Sequence, residues 1–97
     1  MAQIVYSNRA LQHIERAFEF LAVQDPGVAR TALAAIAEAI TLLEKHPMVG
    51  RRVEGDIREL VISYGASGYL ALYQFFPSQD EVWVLALRHQ RELDYPG

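Results

Sequence analysis

The stretch IRELVISYGASGYLALYQFFPSQDEVWVLALRH (57–89) decides the fold of this chain, because apolar residues either alternate along it or run on, and two short interruptions divide it. IRELVIS (57–63), YLALYQFF (69–76) and EVWVLALRH (81–89) read as strands, with GASG (65–68) and PSQD (77–80) as the turn regions between them. Three consecutive strands joined so briefly form an antiparallel meander.

Alternation then assigns faces. In the last strand Val82, Val84, Ala86 and Arg88 point one way, and Trp83, Leu85, Leu87 and His89 the other. In the middle strand Tyr69, Ala71, Tyr73 and Phe75 oppose Leu70, Leu72, Gln74 and Phe76. Both faces are substantially apolar, so both call for a cover.

Upstream the period changes to three and four. Ser7 or Asn8 is a good cap for a helix with Leu11, Ile14, Phe18 and Leu21 on its apolar face, and Gln12, Glu15, Arg16 and Glu19 turned outward. DPG (25–27) ends it and starts another, with Asp25 as N-cap and Pro26 in the first turn. Ala29, Leu33, Ile36, Ala37, Ile40 and Leu43 share a face of this second helix, which should stop near Lys45 or His46 ahead of Pro47. Helices joined by so few residues pack antiparallel. MVGRRVEGD (48–56) reads as a loop, and AQIVY (2–6) as a short first strand.

The expected architecture is therefore α+β, in the order β-α-α-β-β-β: an antiparallel sheet of about four strands packed on an N-terminal two-helix hairpin, in a single domain over 1–97. Two helices cover one sheet face. The other is left for a partner unless strand curvature and the tail QRELDYPG (90–97) cover it.

Composition narrows the function. With 52% apolar and 22% charged residues the chain is ordinary globular material, and it has no cysteine for disulfides, thiolate chemistry or Cys-based zinc sites. No secretory leader is evident at MAQIVYSNRA and no apolar run approaches the roughly 20 residues of a membrane span, so a cytoplasmic protein without a membrane partner is expected. The net charge is −3, with four basic and five acidic side chains in residues 1–50 and five and seven in residues 51–97. Binding to a phosphate backbone would have to rest on a local cluster.

Several residues could form such a cluster. Arg51 and Arg52 follow a glycine and could receive a phosphate or carboxylate, or stand solvated beside Glu54 and Asp56. Arg58, inside an apolar strand, is either in a structural ion pair or a cation facing a ligand. His89 has the side chain in the tail region suited to acid-base work near neutral pH; Arg88 and Arg91 could stabilise anionic charge, and Tyr95 could stack or donate a proton. His13 and His46 have no partners at ligand spacing, so neither a metal nor a cofactor is expected.

The ordered set EKHPMVGRR (44–52), DIRELVISYGASGYLALYQF (56–75) and EVWVLALRHQRELDY (81–95) resembles the RelE/ParE superfamily of type II toxin-antitoxin toxins across nearly the whole chain. The resemblance implies a cognate antitoxin partner whose C-terminal segment wraps the toxin. It also implies one of two targets. RelE-like toxins cut messenger RNA in the ribosomal A site, and by position Arg58 and Arg88 would bind the scissile phosphate, with His89 as acid-base residue and Tyr95 as the C-terminal tyrosine. ParE-like toxins inhibit DNA gyrase, and Arg51, Arg52, Arg58, Arg88 and Arg91 would then be target-binding cations. A single lysine (Lys45), an acidic net charge and the short segment after Tyr95 lean toward the ParE kind. A third reading is an inactive member that serves as an antitoxin-binding regulatory module.

Overall fold

The computed structural model describes every residue but Ala66, so part of the turn expected at 65–68 lies outside the described residues. The elements are β1 (Gln3–Tyr6), α1 (Asn8–Gln24), α2 (Pro26–Thr41) continued by a 3-10 turn (Leu42–Glu44), β2 (Arg51–Glu54), β3 (Ile57–Tyr64), β4 (Ser67–Phe76) and β5 (Glu81–His89). Both helices begin as their sequences dictate. Ser7 Oγ accepts from the Ala10 N–H at 3.0 Å, and Asp25 Oδ1 accepts from the Gly27 and Val28 N–H groups ahead of a turn that Pro26 preorganises.

The sheet has five strands in the order β1-β5-β4-β3-β2, rather than about four, and it is not wholly antiparallel. β1 runs parallel to β5, with Gln3 opposite Glu81 and Tyr6 opposite Val84. The fifth strand comes from the expected loop 48–56: Arg51–Glu54 pairs antiparallel with β3, and Glu54 opposite Ile57 leaves Gly55 and Asp56 as a two-residue turn. Gly55 has φ +54°, the left-handed geometry such a turn requires. β2 is exposed along its whole length and has a bulge between Arg52 and Glu54. Without a buried face it carries no hydrophobic alternation, which is why its sequence reads as a loop.

A bulge also corrects the expected faces of β5. Tyr73 pairs with Val84 but Leu72 with Ala86, so Leu85 is an extra residue and the alternation reverses after it. Val82, Val84, Leu87 and His89 consequently share the helix-side face with Tyr69, Ala71, Tyr73 and Phe75. Ala86 and Arg88 turn to the opposite, open face.

The core lies between the helix hairpin and that first face: Ile36, Ile40 and Leu43 from the second helix and its extension meet Leu60, Ile62, Tyr69, Tyr73, Val82, Val84 and Leu87. The second helix buries Ala29, Ala32, Ile36 and Ile40, while Leu33 and Ala37, expected on that face, are exposed. With its 3-10 extension it spans 19 residues, Pro26–Glu44, long and apolar enough by length and composition to cross a bilayer, contrary to the sequence expectation. In the fold its apolar stripe is part of the core.

The first helix is rotated from its expected phase. Ala10 and His13 are its buried residues, Ile14 and Ala17 pack beside them, and Leu11 is half exposed. A histidine can take an interior place because the sheet has a use for it. β1 ends at Tyr6, so β5 beyond Val84 has no strand neighbour on that side, and α1 supplies the missing partners. Ser7 donates to the Leu85 carbonyl at 3.1 Å, and His13 Nδ1 accepts the Leu87 N–H at 3.1 Å. Buried backbone groups left unpaired are costly, so both contacts hold α1 against the end of β5.

Candidate functional site

On the open face three strands and the tail converge on one carboxylate. Glu59 of β3 is 3% exposed, a position an acid occupies only when paired. Arg51 lies directly opposite it on β2 and donates from Nε (3.1 Å) and Nη2 (2.6 Å) to Oε1. Arg88 reaches Oε2 from β5, with Nη2 at 3.8 Å, and the Tyr95 hydroxyl donates to the same oxygen at 2.5 Å. The Arg88 guanidinium sits over the Tyr95 ring, 5.2 Å from its centre. Arg88 Nη1 also donates to the Glu92 carbonyl, and its buried Nε has no hydrogen-bond partner among the described residues.

The electrostatics follow from this geometry. Burial pushes the Glu59 carboxyl up, but the hydrogen bonds from Tyr95 and Arg51 and the positive charges of Arg51 and Arg88 outweigh it, so the carboxyl lies below its ordinary range. Tyr95 goes the other way: burial, its hydrogen bond to Glu59 and the Glu59 charge all raise its pKa against a smaller opposing effect of Arg88. An ionised carboxylate and a protonated phenol share one short hydrogen bond.

The tail past Tyr95 is fixed too. The Pro96 carbonyl accepts from Arg9 Nε and Nη2 at 3.3 and 2.9 Å, and the Gly97 carbonyl lies 3.3 Å from His13 Nε2. Since His13 Nδ1 accepts from Leu87, its proton is on Nε2 and is donated to Gly97. Residues 95–97 thus strap the open face to α1, and the tail does cover part of that face.

The residues proposed for catalysis are not brought together as a set. Arg88 and Tyr95 meet at Glu59, but Arg58 pairs with Tyr73 on the helix-side face and donates to the Met48 and Gly50 carbonyls at 3.2 and 2.8 Å. The pairing of Arg58 with Arg88 around a phosphate does not form, because neighbouring positions 58 and 59 face opposite ways and Arg88 has joined Glu59. His89 is on the helix side as well, edge-on to Tyr69 with ring centres 5.3 Å apart, its Nδ1 accepting from the Arg91 N–H and its own N–H donating to Glu92 Oε1.

Of the other proposed target-binding cations, Arg51 is in the Glu59 clasp. Arg52 contacts Asp56 at 3.6 Å and donates to the Gly55 carbonyl at 3.1 Å, and Arg91 is exposed. Sequence reading missed Glu59 as the centre, although a lone acid within an apolar strand signals a buried charge that needs counter-charges.

Comparison with known proteins agrees with this fold. The family model described as the ParE toxin of the type II toxin-antitoxin system, parDE, matches residues 4–94. Toxin RelE3 of Caulobacter vibrioides is 30% identical over 92 residues, covering 95% of this chain and 98% of that protein. Among solved structures, the chromosomal ParDE system of P. aeruginosa superposes with a TM-score of 0.77 at 18% identity, covering 92% of this chain and 96% of that one. The intact E. coli RelBE toxin-antitoxin complex gives 0.64 at 16% identity, covering 95% and 100%. This chain belongs to the ParE toxin family of type II toxin-antitoxin systems.

Proposed function

We propose that the protein is a ParE-like toxin that stops growth by binding DNA gyrase in the cytoplasm and is silenced by a cognate antitoxin. The observation that carries the choice of target is the Glu59 clasp. A nuclease needs its cations and proton donors turned toward a phosphodiester. Here Glu59 takes the donors of Arg51, Arg88 and Tyr95, while Arg58 and His89 stand on the other face. A toxin that acts by binding requires no open cluster of that kind.

Antitoxin binding is supported by the solved neighbours, which are a ParDE system and a RelBE toxin-antitoxin complex. It is supported also by what the strap leaves bare: Val61 and Trp83 remain exposed on the open face, apolar surface suited to a segment that folds as it binds.

The test is direct. Purified protein should block supercoiling by gyrase and accumulate cleaved DNA, and leave ribosome-bound message intact; undiminished supercoiling at excess toxin overturns the proposal. A-site cleavage in a toeprinting assay, lost in Arg88→Ala, would support a ribosome-dependent endoribonuclease instead, the reading favoured by the name of the relative Toxin RelE3.

A further inference from the structure

Bordering the Glu59 clasp at Arg88, α1, Tyr64 and Gly65 at the end of β3, and the end of β5 line a groove of about 640 Å³. That volume is typical of small-molecule sites. Its lining carries Arg16 and Arg91 against one acid, Glu92, with the charge of the third arginine, Arg88, already met by Glu59, so the groove keeps a local excess of one positive charge in a chain whose net charge is −3. Glu92 Oε1 already accepts the His89 N–H at 2.9 Å. Neither the Arg16 nor the Arg91 guanidinium has an ion pair or hydrogen bond among the described residues.

The remaining walls are aromatic. Tyr64 and the buried Tyr69 lie on the sheet side, and Phe20 stands on α1 with 67% of its surface exposed. An exposed phenyl ring beside unengaged guanidinium groups offers two planar surfaces on which a flat heterocycle stacks. The same arginines meet the phosphates that such a heterocycle carries.

We propose that this groove binds a nucleoside polyphosphate, with the base against Phe20 and Tyr64 and the phosphates held by Arg16 and Arg91. The site is separate from the gyrase reading, and it would stand if gyrase proved not to be the target.

Calorimetric titration of the purified full chain with ATP, adenosine and inorganic triphosphate tests it. ATP should bind, and both adenosine and triphosphate should bind at least about tenfold more weakly, because each lacks one half of the recognition. Arg16→Glu/Arg91→Glu should weaken ATP by about tenfold or more, and Phe20→Ala should weaken ATP while leaving triphosphate unchanged. All three positions are exposed, so circular dichroism should show an intact fold in each variant. Absence of ATP binding at about 1 mM overturns the proposal. So does equal binding of triphosphate, which would mean unspecific anion attraction, or much tighter binding of a single-stranded oligonucleotide or an acidic peptide, which would name a different occupant.

Discussion

The Tyr95 hydroxyl lies 2.5 Å from Glu59 Oε2, so the tail of the chain is bound to the middle of the sheet through one carboxylate. That carboxylate also receives Arg51 and Arg88. Removing it therefore releases three donors at once.

Glu59→Gln keeps the shape and removes the charge, leaving Arg88, 16% exposed, with no counter-charge. The expected loss is about 1–3 kcal/mol, or a fall in Tm of about 5–20 °C for a domain of this size. Arg51→Ala should cost much less, about 0.5 kcal/mol, because the Arg51 side chain is 69% exposed and its pair is screened. Thermal denaturation of the two variants gives the comparison; equal losses would mean that Glu59 is not the centre.

The clasp also sets the pH dependence. The Glu59 carboxyl is lowered in the fold, so its contribution is full above the ordinary value of 4.5 and is lost as pH falls through the folded value. Tyr95 is raised above the ordinary 10.0, so its contribution is present below 10 and is lost as pH climbs toward the folded value. Denaturant melts across pH should show both flanks. Glu59→Gln should flatten the acid flank, and Tyr95→Phe the alkaline one.

His13 is buried as a hydrogen-bond acceptor for the Leu87 amide. His13→Leu fills the space but leaves that amide unpaired, at a cost of about 1–3 kcal/mol. His13→Asn places an oxygen near the position of Nδ1 and should recover part of the loss. Hydrogen exchange at Leu87 should be fastest in the leucine variant, and unchanged exchange there would remove His13 from this role.

Gly50 has room for nothing larger. A Cβ there would stand 2.6 Å from Tyr73 Cε1, 2.7 Å from its hydroxyl and 2.8 Å from the Glu59 carbonyl, while the Gly50 N–H donates to that same hydroxyl. Gly50→Ala should cost about 2 kcal/mol or more by forcing Tyr73 out of the core. Tyr73→Phe/Gly50→Ala would relieve only the hydroxyl contact. A melt of the single variant close to wild type would show that the loop before β2 yields easily.

How much of this was legible depended on burial. The core faces of β3 and β4 repeat at their own period because they touch the core and could be read directly, as could Ala29, Ile36, Ile40 and Leu43 of the second helix and its extension, but not its Ala32. β2 could not, since it buries nothing; nor could the Leu85 bulge, which inserts one residue into an alternation that is apolar with or without it. The bulge decides the site, because it turns Arg88 toward Glu59 and His89 toward Tyr69. In α1, leucines marked the wrong phase because His13 is held inside by a backbone amide, a long-range demand invisible in local pattern.

The parallel pairing of β1 with β5 has a consequence for timing. Residues 3–6 wait for partners at 81–84, and Arg9 and His13 wait for 96 and 97. Such distant contacts form late, because a long loop must close before they return any energy. On a translating ribosome the edge of the sheet stays open until the last strand has emerged. A cell making this toxin therefore meets it first as an unfinished chain.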